Sequence, residues 1–289
     1  MIHSASIHFF VTDLHGKTDR YQKLFQKILQ ERPSSVFLGG DLLPHRLTAF
    51  SDDDPANFFQ GTLVAGFDAL KKKLADRYPR VFVIPGNDDA RCGEQAFIRA
   101  GSEGIWEYLH NKKTTFGKYT VYGYACVPPT PFLLKDWELY DTARYVDPGC
   151  VAPEDGFHTV AFKKDDILYK TIAKDIELLT GDDDLSESIF LFHSPPYRTK
   201  LDRTALDGKM IDHVPLDVHT GSIAIKRMIK KRQPLLTLHG HIHESTRLTG
   251  SWSDRIRRTF CFNAAHDGPE LALIRFDPGN LHQATRELI

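Results

Sequence analysis

The sequence predicts an α/β fold on two observations. Short apolar runs that end at polar or glycine-containing clusters recur along the chain, as buried strands do. Segments with helical periodicity separate the first of these runs, so strands and helices alternate. This alternation favours parallel strands joined by right-handed crossovers, and therefore a layered α/β domain over about the first 90 residues.

The apolar runs set the predicted elements in order along the chain. They predict strands at 8–11, 35–38, 81–84, 120–124, 189–192, 235–238, 259–262 and 271–276. Helical patterns cover 17–30, about 63–74, about 164–179 and about 222–232, with Ser222 as the cap of the last and Gly181 just past the third. Residues 127–160 are rich in proline and acidic residues without a clean period, so we interpret 1–289 as one domain with an insertion there.

Composition excludes several classes of protein. With 41% hydrophobic and 26% charged residues, the chain is neither disordered nor fibrous. Lys and Arg number 37 against 38 Asp and Glu, so polymeric nucleic acid and anionic membranes are not expected partners, and the sequence does not indicate an oligomeric state. No apolar run approaches the ~18 residues of a membrane span, and no secretion signal is evident. Four scattered cysteines without C-x-x-C spacing fit a reducing, cytoplasmic setting.

Five of the predicted strands end directly in polar side chains that are able to bind metal. These residues are Asp13 and His15; Asp41; Asn87, Asp88 and Asp89; His193; and His239, His241 and His243. Each cluster alone has an ordinary interpretation as a turn, a helix cap or a core histidine. Because ligand sites gather beyond the carboxyl ends of strands in open α/β sheets, the coincidence of five clusters favours one shared site.

The ordered series resembles a known family. Asp13-x-His15, Gly40-Asp41, Gly86-Asn87-x-Asp89, His193 and Gly240-His241-x-His243 resemble the calcineurin-like metallophosphoesterases over about residues 10–245, particularly their small prokaryotic phosphoesterase branch. The resemblance implies two facing mixed β-sheets flanked by helices in four layers. It also implies hydrolysis of a phosphate ester by a metal-bridging hydroxide.

The resemblance further implies two divalent metal ions. One would be held by Asp13, His15 and His243 and the other by Asn87, His193 and His241, with Asp41 bridging both. An oxygen and nitrogen ligand set without thiolate suits manganese, iron, zinc or cobalt, and the sequence does not choose among them. His239 is a candidate hydrogen-bond partner of a ligand, but strand alternation favours an ordinary place at a strand end.

The sequence departs from the family pattern at Asp88, where the family usually has a histidine that donates to the substrate. An aspartate is an anion at neutral pH, so a phosphomonoester dianion would be repelled more than a diester, and we expect a phosphodiesterase. Asp88 and Asp89 are the predicted catalytic residues. Three alternatives stay open: another catalytic role for Asp88, a monoesterase acting on a nucleotide or small metabolite, and a binding or scaffold protein with little activity.

Several further residues are candidates for the substrate pocket. His219 precedes the Thr220-Gly221-Ser222 helix start and is the candidate substrate-binding residue: it either binds substrate phosphate together with the free amides of that helix or lies in a surface turn. His45 and Arg46 follow Asp41 and are within reach of a substrate, although a solvated loop is the simpler interpretation. The insertion carries three aromatic residues that would either line the cleft or pack in the core: Trp137, Tyr140 and Tyr145.

Overall fold

The computed structural model describes residues 7–45 and 54–289. Two six-stranded mixed sheets face each other and helices cover their outer faces, as predicted. Arg46 lies outside the described residues. Within the described ranges, no helix is both long and apolar enough to cross a membrane.

The first sheet has at its centre the parallel strands expected from the alternating N-terminal pattern. Its strands are β1 (His8–Val11), β2 (Ser35–Leu38), β3 (Arg80–Val83), β4 (Glu107–Tyr108), β13 (Ala272–Phe276) and β14 (Thr285–Leu288). The order is β14-β13-β1-β2-β3-β4, with β1 to β4 parallel and β13 and β14 antiparallel to their neighbours. Val11, Leu38 and Val83 align across the ladder, so the first three strands end together.

The second sheet repeats this plan. Its strands are β5 (Lys112–Phe116), β6 (Tyr119–Tyr124), β7 (Ser188–Phe192), β10 (Leu236–His239), β11 (Ser253–Ile256) and β12 (Thr259–Asn263). The order is β11-β12-β10-β7-β6-β5, and the four inner strands are parallel. A small hairpin, β8 (Met210–Ile211) with β9 (Val214–Pro215), lies outside both sheets.

Strand alternation divides the apolar side chains between two cores. In the first sheet, Phe10, Phe37 and Phe82 point toward the second sheet, while their strand neighbours, such as Val36 and Val81, face the helices. Both faces are therefore buried, which explains why these strands are continuous apolar runs in the sequence.

The helices agree with the predicted patterns in most places. They are α1 (Thr18–Glu31), α2 (Pro55–Phe58), a π-helical turn (Phe59–Val64), α3 (Ala65–Leu74), α4 (Glu94–Ser102), α5 (Lys164–Tyr169), α6 (Ile172–Thr180), α7 (Ile223–Arg232) and α8 (Ser245–Thr249), with short 3₁₀ turns at Ala75–Arg77, Arg91–Gly93 and Leu281–Gln283. The single helix predicted over 164–179 is wrong. It is two helices, because Lys170 is extended and Thr171 caps α6 by accepting from the Lys174 amide.

The predicted insertion, 127–160, contains no regular helix or strand and is held by isolated bridges and side chains. Trp137 and Tyr140 are buried within it, whereas Tyr145 is exposed. An ion pair between Lys135 and Glu138, 2.5 Å long, is also buried. Trp137 belongs to the core that lies between the two sheets, so it anchors the segment there. Its description as an insertion in a single domain stays a prediction.

Candidate metal centre

The carboxyl ends of five strands meet at one edge of the molecule. Strands β1, β2 and β3 of the first sheet and β7 and β10 of the second each lead directly into a loop that carries predicted ligands. Two hydrogen bonds join the loops that follow β2, β7 and β10. The His193 ring contacts the Gly39 carbonyl, and the Gly240 amide donates to the His193 carbonyl. Residues more than 200 positions apart, such as His15 and His243, are therefore neighbours.

The first group of side chains comprises Asp13, His15, Asp41 and His243, whose ligating atoms all lie within 4.8 Å of one another. His243 Nε2 is 3.0 Å from Asp13 Oδ1 and 3.1 Å from His15 Nε2. His15 Nε2 is 4.0 Å from both the Asp13 and Asp41 carboxylates. Two imidazole nitrogens and two carboxylates thus surround one small volume.

The second group contains Asp41, His193 and His241, again within 4.8 Å. His193 Nε2 lies 3.2 Å from Asp41 Oδ2 and 3.1 Å from the Asn87 side-chain oxygen. Its Nδ1 contacts the Gly39 carbonyl at 2.8 Å and must donate to it, which aims Nε2 at the group. Asp41 belongs to both groups, so its carboxylate lies between them.

The backbone at these residues is unusual. Asp13, His15, Asp41 and His241 all have positive φ, between 46° and 71°, which is rare for residues other than glycine. Such conformations cluster at functional sites, where surrounding contacts hold them.

Glycines let the loops approach closely. A Cβ on Gly86 would lie 2.1 Å from Asp41 Oδ1, and one on Gly240 would lie 2.5 Å from Asp13 Oδ2. The glycine of each motif is thus explained by the carboxylate packed against it.

The buried charges favour a cation at this place. Burial would raise the pKa of Asp41, but His193 and His15 hold it well below its usual range. Burial lowers the pKa of His193, yet the Asp41 carboxylate outweighs this and raises it to about 10. Desolvation of the His241 ring, followed by the charge on neighbouring His193, lowers the pKa of His241 to about 3. The Asp41 carboxylate therefore holds a proton on His193, whereas desolvation leaves His241 neutral, the form that binds metal.

The residues present fit a pair of metal ions. Each group offers oxygen and nitrogen donors without thiolate, the set that suits divalent first-row metals. His15 Nδ1 is buried without a hydrogen-bond partner, although Asp88 Oδ2 lies 3.5 Å away. A protonated His193 beside Asp41 also marks a position where a cation can replace the proton.

His45 and Asp88 form a pair at the opening of the site. His45 Nδ1 is 3.0 Å from Asp88 Oδ2, and the two side chains are 50% and 22% exposed. The hydrogen bond with Asp88 raises the pKa of His45. The His45 ring also stacks on His15, with centroids 4.5 Å apart and planes 16° from parallel. His45, for which the simpler expectation was a solvated loop, is therefore half exposed and in contact with His15 and Asp88 of the site.

Asp89, which the sequence predicts to be catalytic, is buried and bonded to the backbone of two loops. It is 1% exposed, and its two carboxylate oxygens accept from the backbone amides of Leu42, Leu43 and Gly86. Its main-chain oxygen accepts from the Trp137 indole at 2.6 Å. A carboxylate used in this way joins two loops, so we interpret Asp89 as a positioning residue that does not touch substrate.

The structure does not support the predicted phosphate site at His219. The amides of Ile223 and Ala224, which open α7, donate to the Asp141 carboxylate, so an internal anion already occupies the helix N-terminus. His219 instead pairs with the buried Asp202 at 2.9 Å. Asp141 belongs to the 127–160 segment, and its capping role was missed because the sequence gives no sign of which helix it meets.

Two smaller expectations concern residues beside the site. His239 is fully buried and contacts the Ser194 carbonyl and the Thr237 hydroxyl, as an ordinary strand-end residue would. Trp137 and Tyr140 pack inside the protein, so they do not line a cleft. The sequence places His45 within reach of a substrate because it follows Asp41, but it does not predict the contacts of this ring with His15 and Asp88.

The comparisons with known proteins identify the family of the chain. The sequence model of the calcineurin-like phosphoesterases matches residues 9–245, and the chain belongs to that family. No curated protein matches the sequence.

Solved structures share the fold. The TT1561 protein of Thermus thermophilus has a TM-score of 0.54 and 15% identity over 99% of both chains. The phosphopantetheinyl hydrolase of Mycobacterium tuberculosis has a TM-score of 0.54 and 13% identity, covering 93% of this chain and 92% of its own. At such identities these similarities establish the fold alone.

Proposed function

We propose that the protein is a metal-dependent phosphoesterase that prefers phosphodiesters. The observation that carries the proposal is the position of Asp41, shared by two groups of ligating side chains. Dinuclear phosphoesterase centres need such a carboxylate, because it offsets the repulsion between two cations about 3.5–4 Å apart. The cytoplasmic location expected from the sequence stays a prediction.

The proposed ligand sets follow the two groups. Asp13, His15 and His243 hold one metal ion, and Asn87, His193 and His241 hold the other, with Asp41 common to both. A bound pair of divalent cations supplies Lewis acidity toward the phosphoryl oxygens and lowers the pKa of water at the site.

The chain's own groups keep these ligands in place. The His241 amide donates to Asp13 at 3.1 Å, and the Asp88 amide donates to Asp41 Oδ1 at 2.8 Å. Each carboxylate is thereby oriented by a backbone N–H, which leaves its remaining lone pairs for a cation. Asp89 joins the loops after β2 and β3, so the Asp41 and Asn87 loops stay in register.

The preference for diesters rests on Asp88. A carboxylate lies at the opening where the family pattern has a histidine, and it is accessible to solvent. A monoester dianion brings two negative charges toward this group and a diester brings one, so the electrostatic cost is larger for the monoester.

The direct test is an activity assay with defined metal content. The purified protein is stripped of metal and assayed on p-nitrophenyl phosphate and bis-p-nitrophenyl phosphate while manganese, iron, zinc or magnesium is restored singly. We expect metal-dependent turnover with the diester preferred. Bound stoichiometric metal without turnover of either ester would instead favour a binding protein of this fold.

A further inference from the structure

The loop that follows β2 places an imidazole at the opening of the metal centre. His45 comes four residues after Asp41, lies against the His15 ring and is half exposed. A side chain in this position is near enough to the candidate ligands to contact a molecule bound to them, and open enough to meet it.

Asp88 fixes how that imidazole is presented. The Asp88 amide is bonded to Asp41, and its side chain is bonded to His45 Nδ1 at 3.0 Å. The ring is thus held in its plane by stacking on His15 and in rotation by the hydrogen bond. With Nδ1 directed at the carboxylate, Nε2 is the ring nitrogen directed away from Asp88.

We propose that His45 donates a hydrogen bond to the phosphate of the substrate and that Asp88 is its positioning residue. His45 then supplies from a neighbouring loop the donor that the family pattern places at position 88. The inference rests on the proposed function, because it assumes that a phosphoryl group binds at the metal centre.

The hydrogen bond with His45 also changes how much negative charge Asp88 presents to the substrate. A hydrogen-bonded imidazole offsets part of the negative charge that Asp88 would otherwise present to the substrate. Removing His45 has two effects: it takes away a hydrogen-bond donor, and it leaves the charge of Asp88 without the imidazole that offsets it. The loss should therefore be larger for a monoester than for a diester, since repulsion grows with substrate charge.

Binding of inorganic phosphate tests the inference apart from turnover. The probe is titrated by calorimetry into manganese-loaded wild-type protein and His45→Ala, and the bound metal of each is measured by mass spectrometry. We expect His45→Ala to keep its metal and to bind phosphate about tenfold more weakly or worse, the scale of one hydrogen bond to a charged group. The double variant His45→Ala/Asp88→Asn should recover part of the loss, because the uncovered charge is gone.

A second variant separates positioning from folding. Asp88→Asn keeps an oxygen acceptor for His45 and should weaken phosphate binding less than His45→Ala does. His282→Ala is the matched control. His282 is an exposed histidine whose ring contacts Phe260, and Phe260 lies near the start of β12, away from the strand ends that carry the site. It should bind phosphate as the wild type does.

Two results would overturn the inference. One is unchanged phosphate affinity in His45→Ala. The other is loss of bound metal in that variant, which would make His45 a ligand together with His15 and Asp88, a group whose atoms lie within 4.8 Å. If the wild type hydrolyses neither ester yet its phosphate affinity depends on His45, the proposed function fails, and only the contact between His45 and bound phosphate stands.

Discussion

The metal centre has a buried part and a partly exposed part, which differ in what holds their side chains. We call the buried part, with Asp41 and His193, the floor, and the opening of the site, with His45 and Asp88, the mouth. At the floor, Asp41 and His193 are 3% and 0% exposed and are held by the backbone of neighbouring loops. At the mouth, His45 and Asp88 are 50% and 22% exposed and hold each other. Floor residues follow strand ends directly, so the sheets position them. Mouth residues depend on contact between two loops, so no strand end alone fixes their arrangement.

We therefore expect substitutions in the two regions to have different effects. Changes at the floor should remove metal, and with it all activity. Changes at the mouth should leave metal in place and alter which substrate is bound.

Asp41→Asn should have the largest effect, because an amide cannot bridge two cations as a carboxylate does. We expect turnover to fall by at least about a thousandfold, comparable with loss of a transition-state contact, and bound metal to drop by one ion or more. Asp184→Asn, on an exposed loop where Asp184 accepts from Ser186, is the control and should match the wild type. Full metal content and turnover in Asp41→Asn would contradict the bridging role.

Gly86→Ala tests whether the floor depends on close backbone packing. The new methyl group would meet the Asp41 carboxylate at 2.1 Å, so Asp41 must move. We expect metal affinity to fall about 10- to 100-fold, as for lost support of a metal ligand. Gly61→Ala is the matched control, because nothing in the described part of the chain lies within 4 Å of its added Cβ. Equal metal affinities in the two variants would show that the glycine is not needed for this packing.

Asp88→His changes the mouth alone. It removes the carboxylate and restores an imidazole at the family's position, so we expect the ratio of monoester to diester turnover to rise on the order of tenfold. Asp88→Asn is the control that removes the charge without adding a histidine. Comparing kcat/KM for the two nitrophenyl esters measures the effect. A ratio that stays at the wild-type value in both variants would exclude Asp88 as a source of selectivity.

Asp141→Ala should affect neither floor nor mouth. Asp141 caps α7 by accepting from Ser222, Ile223 and Ala224, so its loss should lower the free energy of unfolding by about 1–2 kcal/mol. Activity per metal-loaded molecule should be unchanged. Urea denaturation measures the difference, with Asp184→Ala as a surface control. An equally stable Asp141→Ala would mean that water replaces the cap without cost.

The two sheets could be predicted as far as their strands are apolar on both faces. Central strands such as β2 and β7 have nearly the predicted bounds, because continuous apolar runs have few alternatives to a buried strand. Edge strands were missed. The sequences KKTTF of β5 and TREL of β14 are polar because much of each faces solvent. The break before α6 was also missed, since Thr171 is compatible with both a cap and a helix interior.

The candidate site likewise has a part that the sequence predicts and a part that it does not. The seven predicted ligands converge because each follows a strand end or lies in a loop directly after one, and sheet geometry does the rest. The contact between His45 and Asp88 and the Asp141 cap each join segments that are more than 40 residues apart. Such pairings are decided by packing of whole loops, which no local pattern in one sequence encodes.

Anomalous X-ray scattering from crystals of the manganese-loaded protein would show whether Asp41 lies between two metal ions. We expect two peaks about 3.5–4 Å apart on either side of the Asp41 carboxylate, one near Asp13 and His243 and the other near Asn87 and His193. A single peak, or two peaks of which neither contacts Asp41, would contradict a dinuclear centre bridged by this residue.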